Sequence, residues 1–340
     1  MLHDHHYDPS AKMSIQSKAI LWTACVVGLF LSVEFSFRRM FRVDCNPLYV
    51  RHPSIEYLVQ PSQHIVCDGQ TFESNRWSMR SPDFDRKKPL EETRIMVFGD
   101  SVVFGSLLDQ QELATSLLAV DLEQSLRRYV VVGNISAVSW GVPNYLAYEK
   151  EYGFFDADAV VLVVSSHDLY DVPTFEPLSP IYQPQSRFHI VLPSGFQKLF
   201  GWIQENGFQS VQNGMDAHQK QLDVICLNAL REFHQDLQKQ GIPLLLVFHY
   251  QQDELSISMT HAFIDWAKSE GVPVVSDRDA LKGALNAGKN PYKDFIHLNV
   301  LGQSLLEAVI LSGLNDMGFI QSALQIPVVS EGSLSEFSKP

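Results

Sequence analysis

From residue 94 onward, short wholly apolar runs alternate with longer stretches whose apolar residues recur every three or four positions. The first pattern marks strands buried on both faces, the second amphipathic helices. Residues 94–98 read as a first strand and 113–127 as a helix. Residues 129–132 form a β-branched strand that Gly133-Asn134 is expected to stop. A helix over 143–152 has Pro143 in its first turn, and 159–164 is a third strand. The amphipathic stretch 215–240 ends at Gly241 with Pro243 beyond, a C-terminal stop signal. A fourth strand at 244–248, a helix at 261–270 and a short fifth strand at 273–275 follow; Asn299 caps a last helix over 300–311. Continuous apolar strands separated by helices predict an α/β fold with a parallel sheet covered on both faces. No internal repeat is visible.

The N-terminal region follows different patterns. Residues 19–33 are an unbroken apolar run, extended by 35–37 to Arg38-Arg39 with Glu34 intruding. The run is shorter than the ~20 residues of a comfortable span and has the length of a signal-peptide core. No small-x-small cleavage site follows, so residues 19–37 are expected to be an uncleaved transmembrane anchor behind a disordered leader, 1–18. A buried core helix is disfavoured by the terminal position and the flanking basic residues. Lys12 and Lys18 on one side and Arg38, Arg39 and Arg42 on the other leave its orientation undecided by charge. His3-Asp4-His5-His6 reads as part of a solvated tail rather than a metal tract.

Residues 43–93, rich in Pro, Arg, Ser and Asn, read as an irregular entry arm with strand-like pieces such as Tyr57-Leu58-Val59. They lead into a main domain over 94–316. Within it, 170–214 carries five prolines, several aromatics and a short amphipathic piece at 196–203. So long a loop is either a lid or substrate wall, or a tolerated surface insertion. The Ser-rich end, 328–340, is expected to be a disordered tail.

Composition narrows the function classes. An apolar share of 45% and a charged share of 19% over 340 residues describe a globular protein rather than a multi-span one. A formal charge of −13 without a basic stripe argues against nucleic acid as a partner. The four cysteines show no zinc or CxxC spacing. Cys25 and Cys226 read as buried free thiols, while the spacing of Cys45 and Cys67 permits a disulfide in an oxidising compartment. No metal cluster or phosphate loop is seen, and no cofactor is expected.

Chemistry enters with Gly99-Asp100-Ser101 at the exit of the first strand, and with Asp294-Phe295-Ile296-His297 near the other end. A hydroxyl, an imidazole and a carboxylate are the parts of an activated nucleophile. In an open parallel sheet, ligands bind beyond the carboxyl ends of the strands. Ser101, residues 134–141, residues 165–168 and the Asp294–His297 segment all fall on that edge. Asp100 reads as organising its turn, and Asp168 and Asp171 as loop caps. His249 and Asp253 read as structural, and the sequon Asn134-Ile135-Ser136 as incidental.

Over about residues 94–314 these blocks resemble the SGNH (GDSL-like) hydrolases. The resemblance rests on Phe98-Gly99-Asp100-Ser101, and on Asp294-x-x-His297 followed by Leu298-Asn299-x-x-Gly302. Asn75-Arg76-Trp77-Ser78-Met79-Arg80 upstream looks like membrane-anchored bacterial members, many of which act on cell-surface or exported polysaccharides. The resemblance implies a three-layer α/β/α, flavodoxin-like fold with five parallel strands behind one N-terminal transmembrane helix. It implies Ser101 as nucleophile, His297 as general base and Asp294 as its orienting partner. Ser101 also contributes its backbone N–H to the oxyanion hole. Two blocks depart from the family pattern. The oxyanion glycine position falls on Ser139, with Gly141 two residues later, and His167 replaces the family asparagine. Ser139, Gly141 and His167 are therefore the further oxyanion candidates.

The expected function is a serine esterase or O-acyltransferase acting on acyl or acetyl esters of an extracytoplasmic glycan. The protein is expected as a single-pass protein of the bacterial inner membrane with a periplasmic domain. The alternatives are a lipid or thioester hydrolase, and a catalytically weakened polysaccharide-binding or assembly protein.

Overall fold

A computed structural model describes residues 14–40, 42–179, 182–187, 190, 192, 215–257 and 261–324. The expected leader up to residue 13, the amphipathic piece at 196–203 and the tail at 328–340 lie outside these residues. The first element is α1 (Ile15–Met40), 26 residues whose most apolar 18-residue window has a mean hydropathy of 1.9 and is only 6% buried. It is long and apolar enough to cross a membrane. It starts before the expected boundary, since residues 15–18 are helical rather than part of a disordered leader, and it runs on to Met40. Cys25 is exposed on this helix, not buried. Glu34 is tolerated because it is covered: its Oε2 accepts the Leu192 N–H at 3.0 Å, and Arg38 lies 3.6 Å away.

The arm is more ordered than its composition suggests. It forms two antiparallel hairpins, β1 (Tyr49–His52) with β2 (Glu56–Val59), and β3 (His64–Cys67) with β4 (Gln70–Glu73). Cys45 and Cys67 form a disulfide with Cα atoms 5.4 Å apart, tying the exit of α1 to the second hairpin.

The core is a parallel sheet of β5 (Thr93–Gly99), β6 (Val130–Ser136), β7 (Ala159–Ser165), β8 (Leu244–His249) and β9 (Val274–Ser276), in the order β6-β5-β7-β8-β9. The helices are α2 (Ser101–Phe104), α3 (Ala114–Leu126), α4 (Val142–Tyr152), α5 (Met215–Gln240), α6 (Ala262–Glu270), α7 (Arg278–Asn286), α8 (Val300–Asp316) and α9 (Phe319–Leu324). The chain steps outward from β5 to β6 and then back across to β7. Right-handed crossovers therefore place α3 and α4 on opposite faces. α3 packs with α8 and α4 with α5, completing three layers. Phe98 of β5 shows why the apolar runs are continuous: its ring meets Tyr145 and Tyr148 of α4 and Phe233 of α5.

Two local expectations need correction. β6 runs through Gly133-Asn134 because tertiary contacts outweigh the stop signal. The Asn134 amide donates to Val103 O and Thr115 Oγ1, each at 3.0 Å, and a Cβ on Gly133 would lie 2.5 Å from Met96 Sδ. α7 has no counterpart among the sequence-predicted elements; it is a short amphipathic helix burying Leu281.

Candidate active site

Ser101 opens α2 directly after β5, and the turn that places it is built tightly. The Asp100 carboxylate caps the helix by accepting the Val102 N–H at 2.8 Å. Burial holds the Asp100 carboxyl above its ordinary range. Gly99 is required by contact: a Cβ there would stand 2.3 Å from Val103 Cγ2. The far end of α2 is fastened by Arg80, which is fully buried. Its guanidinium donates to Phe104 O, to Gly105 O at 2.6 Å and to Leu108 O at 2.6 Å. Burial disfavours its charge, and the carbonyls and the rings of Phe72 and Phe104, 4.9 and 5.5 Å away, answer that cost. Arg80 stands in the Asn75–Arg80 block, and the sequence by itself assigns it no role.

The second half of the site is the turn before α8. Asp294 Oδ1 accepts the N–H of Ile296 at 3.0 Å and of His297 at 2.8 Å, while Oδ2 lies 2.7 Å from His297 Nδ1. Partial burial pushes the Asp294 carboxyl up, but these backbone donors and the ring outweigh it and hold it below its ordinary value. His297 Nε2 lies 2.9 Å from Ser101 Oγ. With Nδ1–H donating to Asp294, Nε2 is left to accept the serine proton. The turn is braced from below by His249, at the end of β8. Its Nδ1 pairs with Asp277 and its Nε2 donates to Ile296 O at 2.9 Å, both side chains being wholly buried. Burial opposes charge on His249, yet Asp277 and the Ile296 carbonyl overcome it and raise the ring to about 9. The expectation that His249 is structural fits this placement beneath the turn.

The oxyanion candidates separate. Ser139 sits in the left-handed region at φ 56°, a conformation that favours glycine. It lines the same cavity as Ser101, and its neighbour Val138 is held by the Tyr57 hydroxyl donating to the Val138 carbonyl. The arm thus positions this loop, a role its sequence did not disclose. Gly141 is a correction. Its N–H donates to Asn144 Oδ1 at 3.0 Å, and a Cβ there would lie 2.1 Å from Asp171 O, so it caps α4 and admits the Asp171 loop, and its N–H is not free to donate. His167 lines the cavity, with Nδ1 2.9 Å from Asp171 Oδ2. That hydrogen bond raises the imidazole to about 9 despite partial burial. Asp171 therefore holds His167 and is more than a loop cap. Asp168 does act as a cap, accepting the Ser165 N–H at 2.6 Å and the Tyr145 hydroxyl at 2.9 Å. Cys226 is buried as expected, and burial pushes its thiol up to about 12. Asn134 is fully buried and doubly bonded, so its sequon presents no acceptor to solvent.

These groups open onto a cavity of about 540 Å³ between the carboxyl edge of the sheet and the arm. The lining includes Ser101, Ser139, His167 and His297 from the core, and Tyr49, Ile65 and Phe72 from the hairpins.

No protein-family model matches the chain, and no curated sequence matches it. Among solved structures, the chain is similar to a lipolytic protein of the G-D-S-L family from Veillonella parvula. The identity is 12%, covering 65% of this chain and 97% of that one, with a TM-score of 0.39. An acetyl xylan esterase matches at 15% identity over 65% of this chain and 99% of that one, TM-score 0.40. A two-domain esterase active on acetylated mannans matches at 13% identity over 68% of this chain and 50% of that one, TM-score 0.42. The sheet of five parallel strands fits the fold that the resemblance to SGNH hydrolases implies. Ser101 follows β5, and Asp294 and His297 precede α8, which is not the last helix because the short α9 follows it.

Proposed function

We propose that the protein is a serine esterase or O-acyltransferase of the SGNH type. The observation that carries this reading is the continuous chain Ser101 Oγ, His297 Nε2, His297 Nδ1, Asp294 Oδ2, with spacings of 2.9 and 2.7 Å. Ser101 attacks an ester carbonyl while His297 takes its proton, and Asp294 fixes the ring and favours the imidazolium that forms. The developing oxyanion lies among the Ser101 and Ser139 N–H groups and the His167 ring, each such donor being worth a few kcal/mol. His297 then protonates the leaving alcohol. The acyl-enzyme passes its acyl group to water or to a sugar hydroxyl of an extracytoplasmic glycan, the proposed natural substrate or acceptor. The proposed location is the bacterial inner membrane, anchored by α1, with the site on the periplasmic side. The Cys45–Cys67 disulfide supports an oxidising compartment.

A fluorophosphonate probe applied to the detergent-solubilised full chain tests the nucleophile. Wild type is expected to be labelled at Ser101 and to hydrolyse p-nitrophenyl acetate. Ser101→Ala is expected to lose both, and His297→Ala to lose on the order of 10⁶ in kcat. Labelling that survives Ser101→Ala, or none in wild type, overturns the reading.

A further inference from the structure

The substrate cavity is walled on one side by a segment outside the α/β core. Arg42, Cys45, Asn46 and Pro47 line it, and they follow directly on the end of α1 at Met40. The disulfide to Cys67 fastens that segment to the second hairpin, whose Ile65 and Phe72 continue the wall. If α1 spans a bilayer, the cavity therefore lies beside the bilayer surface. Its opposite wall, formed after the nucleophile by Phe104, Leu107 and Leu108, is apolar as well.

Arg80 and His167 also line the cavity but are engaged by the α2 carbonyls and by Asp171; two further cations, Lys293 and Arg42, face it. Lys293 adjoins Asp294, and its Nζ reaches only Ser106 O at 3.4 Å among the described residues. Burial lowers its pKa, and the neighbouring charge of Arg42 lowers it further against the pull of Asp294. Arg42 pairs with Asp68 at 3.1 Å and donates to Gln70 Oε1 at 3.3 Å, yet its buried Nε has no partner among the described residues. The lining carboxylates are engaged elsewhere: Asp100 with the Val102 N–H, Asp171 with His167, and Asp294 with His297. In a chain of net charge −13, two cations at the mouth of an apolar cavity mark a place for an anion attached to an apolar body.

We propose that the acyl donor is an anionic membrane lipid, one acyl chain lying in the cavity, its ester carbonyl at Ser101 and its phosphate against Arg42 and Lys293. This rests on the serine-ester reading above and names its substrate class. Ser101 Oγ bonds to the carbonyl carbon, and its proton moves to His297. The ester C–O bond breaks and the glycerol oxygen takes that proton, leaving a lysolipid and acyl-Ser101. Water then releases a free fatty acid, or a sugar hydroxyl takes the acyl group, and the proton returns to Ser101 through His297.

The test uses the full chain reconstituted in vesicles of dioleoyl phosphatidylglycerol or of dioleoyl phosphatidylcholine. Oleate release and oleoyl-Ser101 are followed by mass spectrometry. Phosphatidylglycerol is expected to be turned over at least about tenfold faster, the worth of one modest ionic contact. Lys293→Gln and the double variant with Arg42→Gln are expected to lose that preference through KM rather than kcat, with melting temperature read alongside to confirm folding. Ile65→Trp is expected to cut oleoyl transfer while moving the preference among p-nitrophenyl esters towards acetate. Equal rates on the two lipids, or a preference unchanged by both cation variants, overturns the lipid proposal. If p-nitrophenyl acetate is hydrolysed through Ser101 and neither lipid is, the lipid proposal alone falls. If Ser101 is not labelled by the fluorophosphonate, both readings fall.

Discussion

At the scale of single residues, the informative departure from the family pattern is His167. An asparagine amide donates a hydrogen bond at any pH, whereas an imidazole whose Nδ1–H is given to Asp171 has a proton on Nε2 only while it is cationic. The raised value of about 9 keeps that second proton at neutral pH. As pH rises through about 9, Nε2 becomes a lone pair and repels the oxyanion instead of binding it. Activity is therefore expected to fall on the alkaline side near that pH, and Asp171→Asn should move the limb to lower pH. His167→Asn is expected to retain activity and lose the limb, while His167→Ala costs roughly 10²–10³ in kcat. A pH–rate profile on p-nitrophenyl acetate decides it; an identical alkaline limb in His167→Asn means that His167 does not donate to the oxyanion.

At the scale of elements, the site depends on braces that touch no substrate. The His249–Asp277 pair joins β8, the start of α7 and the Asp294–His297 turn through the Ile296 carbonyl. Asp277 Oδ1 also accepts the Tyr250 N–H at 3.0 Å, so the carboxylate fixes both ring and strand exit. Removing one partner of such a buried pair leaves an uncompensated charge, and Asp277→Ala is expected to cost about 3–5 kcal/mol in denaturant unfolding. The pair also sets a pH dependence of stability. The folded imidazole titrates at about 9, above its unfolded value. Its contribution is complete below the unfolded value of about 6.5 and is lost as pH rises through the folded one. The melting temperature of wild type should fall between neutral pH and pH about 9.5, and His249→Gln should flatten that slope. A slope unchanged in His249→Gln assigns the effect to other groups.

At the scale of the whole molecule, the arm is part of the site rather than a tether. β2 holds the Val138 carbonyl through Tyr57, Ile55 O accepts the Asn144 amide at 2.8 Å, and the second hairpin walls the cavity. The disulfide closes a loop of sequence separation 22, worth about 3 kcal/mol by loop closure. Reduction, or the paired change of Cys45 and Cys67 to serine, should lower the melting temperature by several degrees. It should also raise KM for long-chain esters more than for acetate, because the wall formed by Ile65 and Phe72 loosens. Equal effects on both esters would mean that the disulfide supports stability alone.

The sequence by itself determined most of the sheet. Strands buried on both faces must be apolar at every position, which is why 94–98, 159–164 and 244–248 were legible to within a residue or two. It also determined the three groups now in line, since a serine at a strand exit and an Asp-x-x-His turn are local patterns. Tertiary structure decided what local pattern cannot carry. β6 runs through Gly133-Asn134 because Val103 and Thr115 satisfy the buried amide, and Gly141 lost its expected role because Asn144 and Asp171 occupy its surroundings. Ser139 takes its left-handed turn beside a carbonyl held by Tyr57, and His167 keeps its proton because Asp171 reaches its ring. A hydrophobic period records which face of a segment leaves water. Which partner meets a polar atom, and so what that atom can do, is fixed only when distant segments come together.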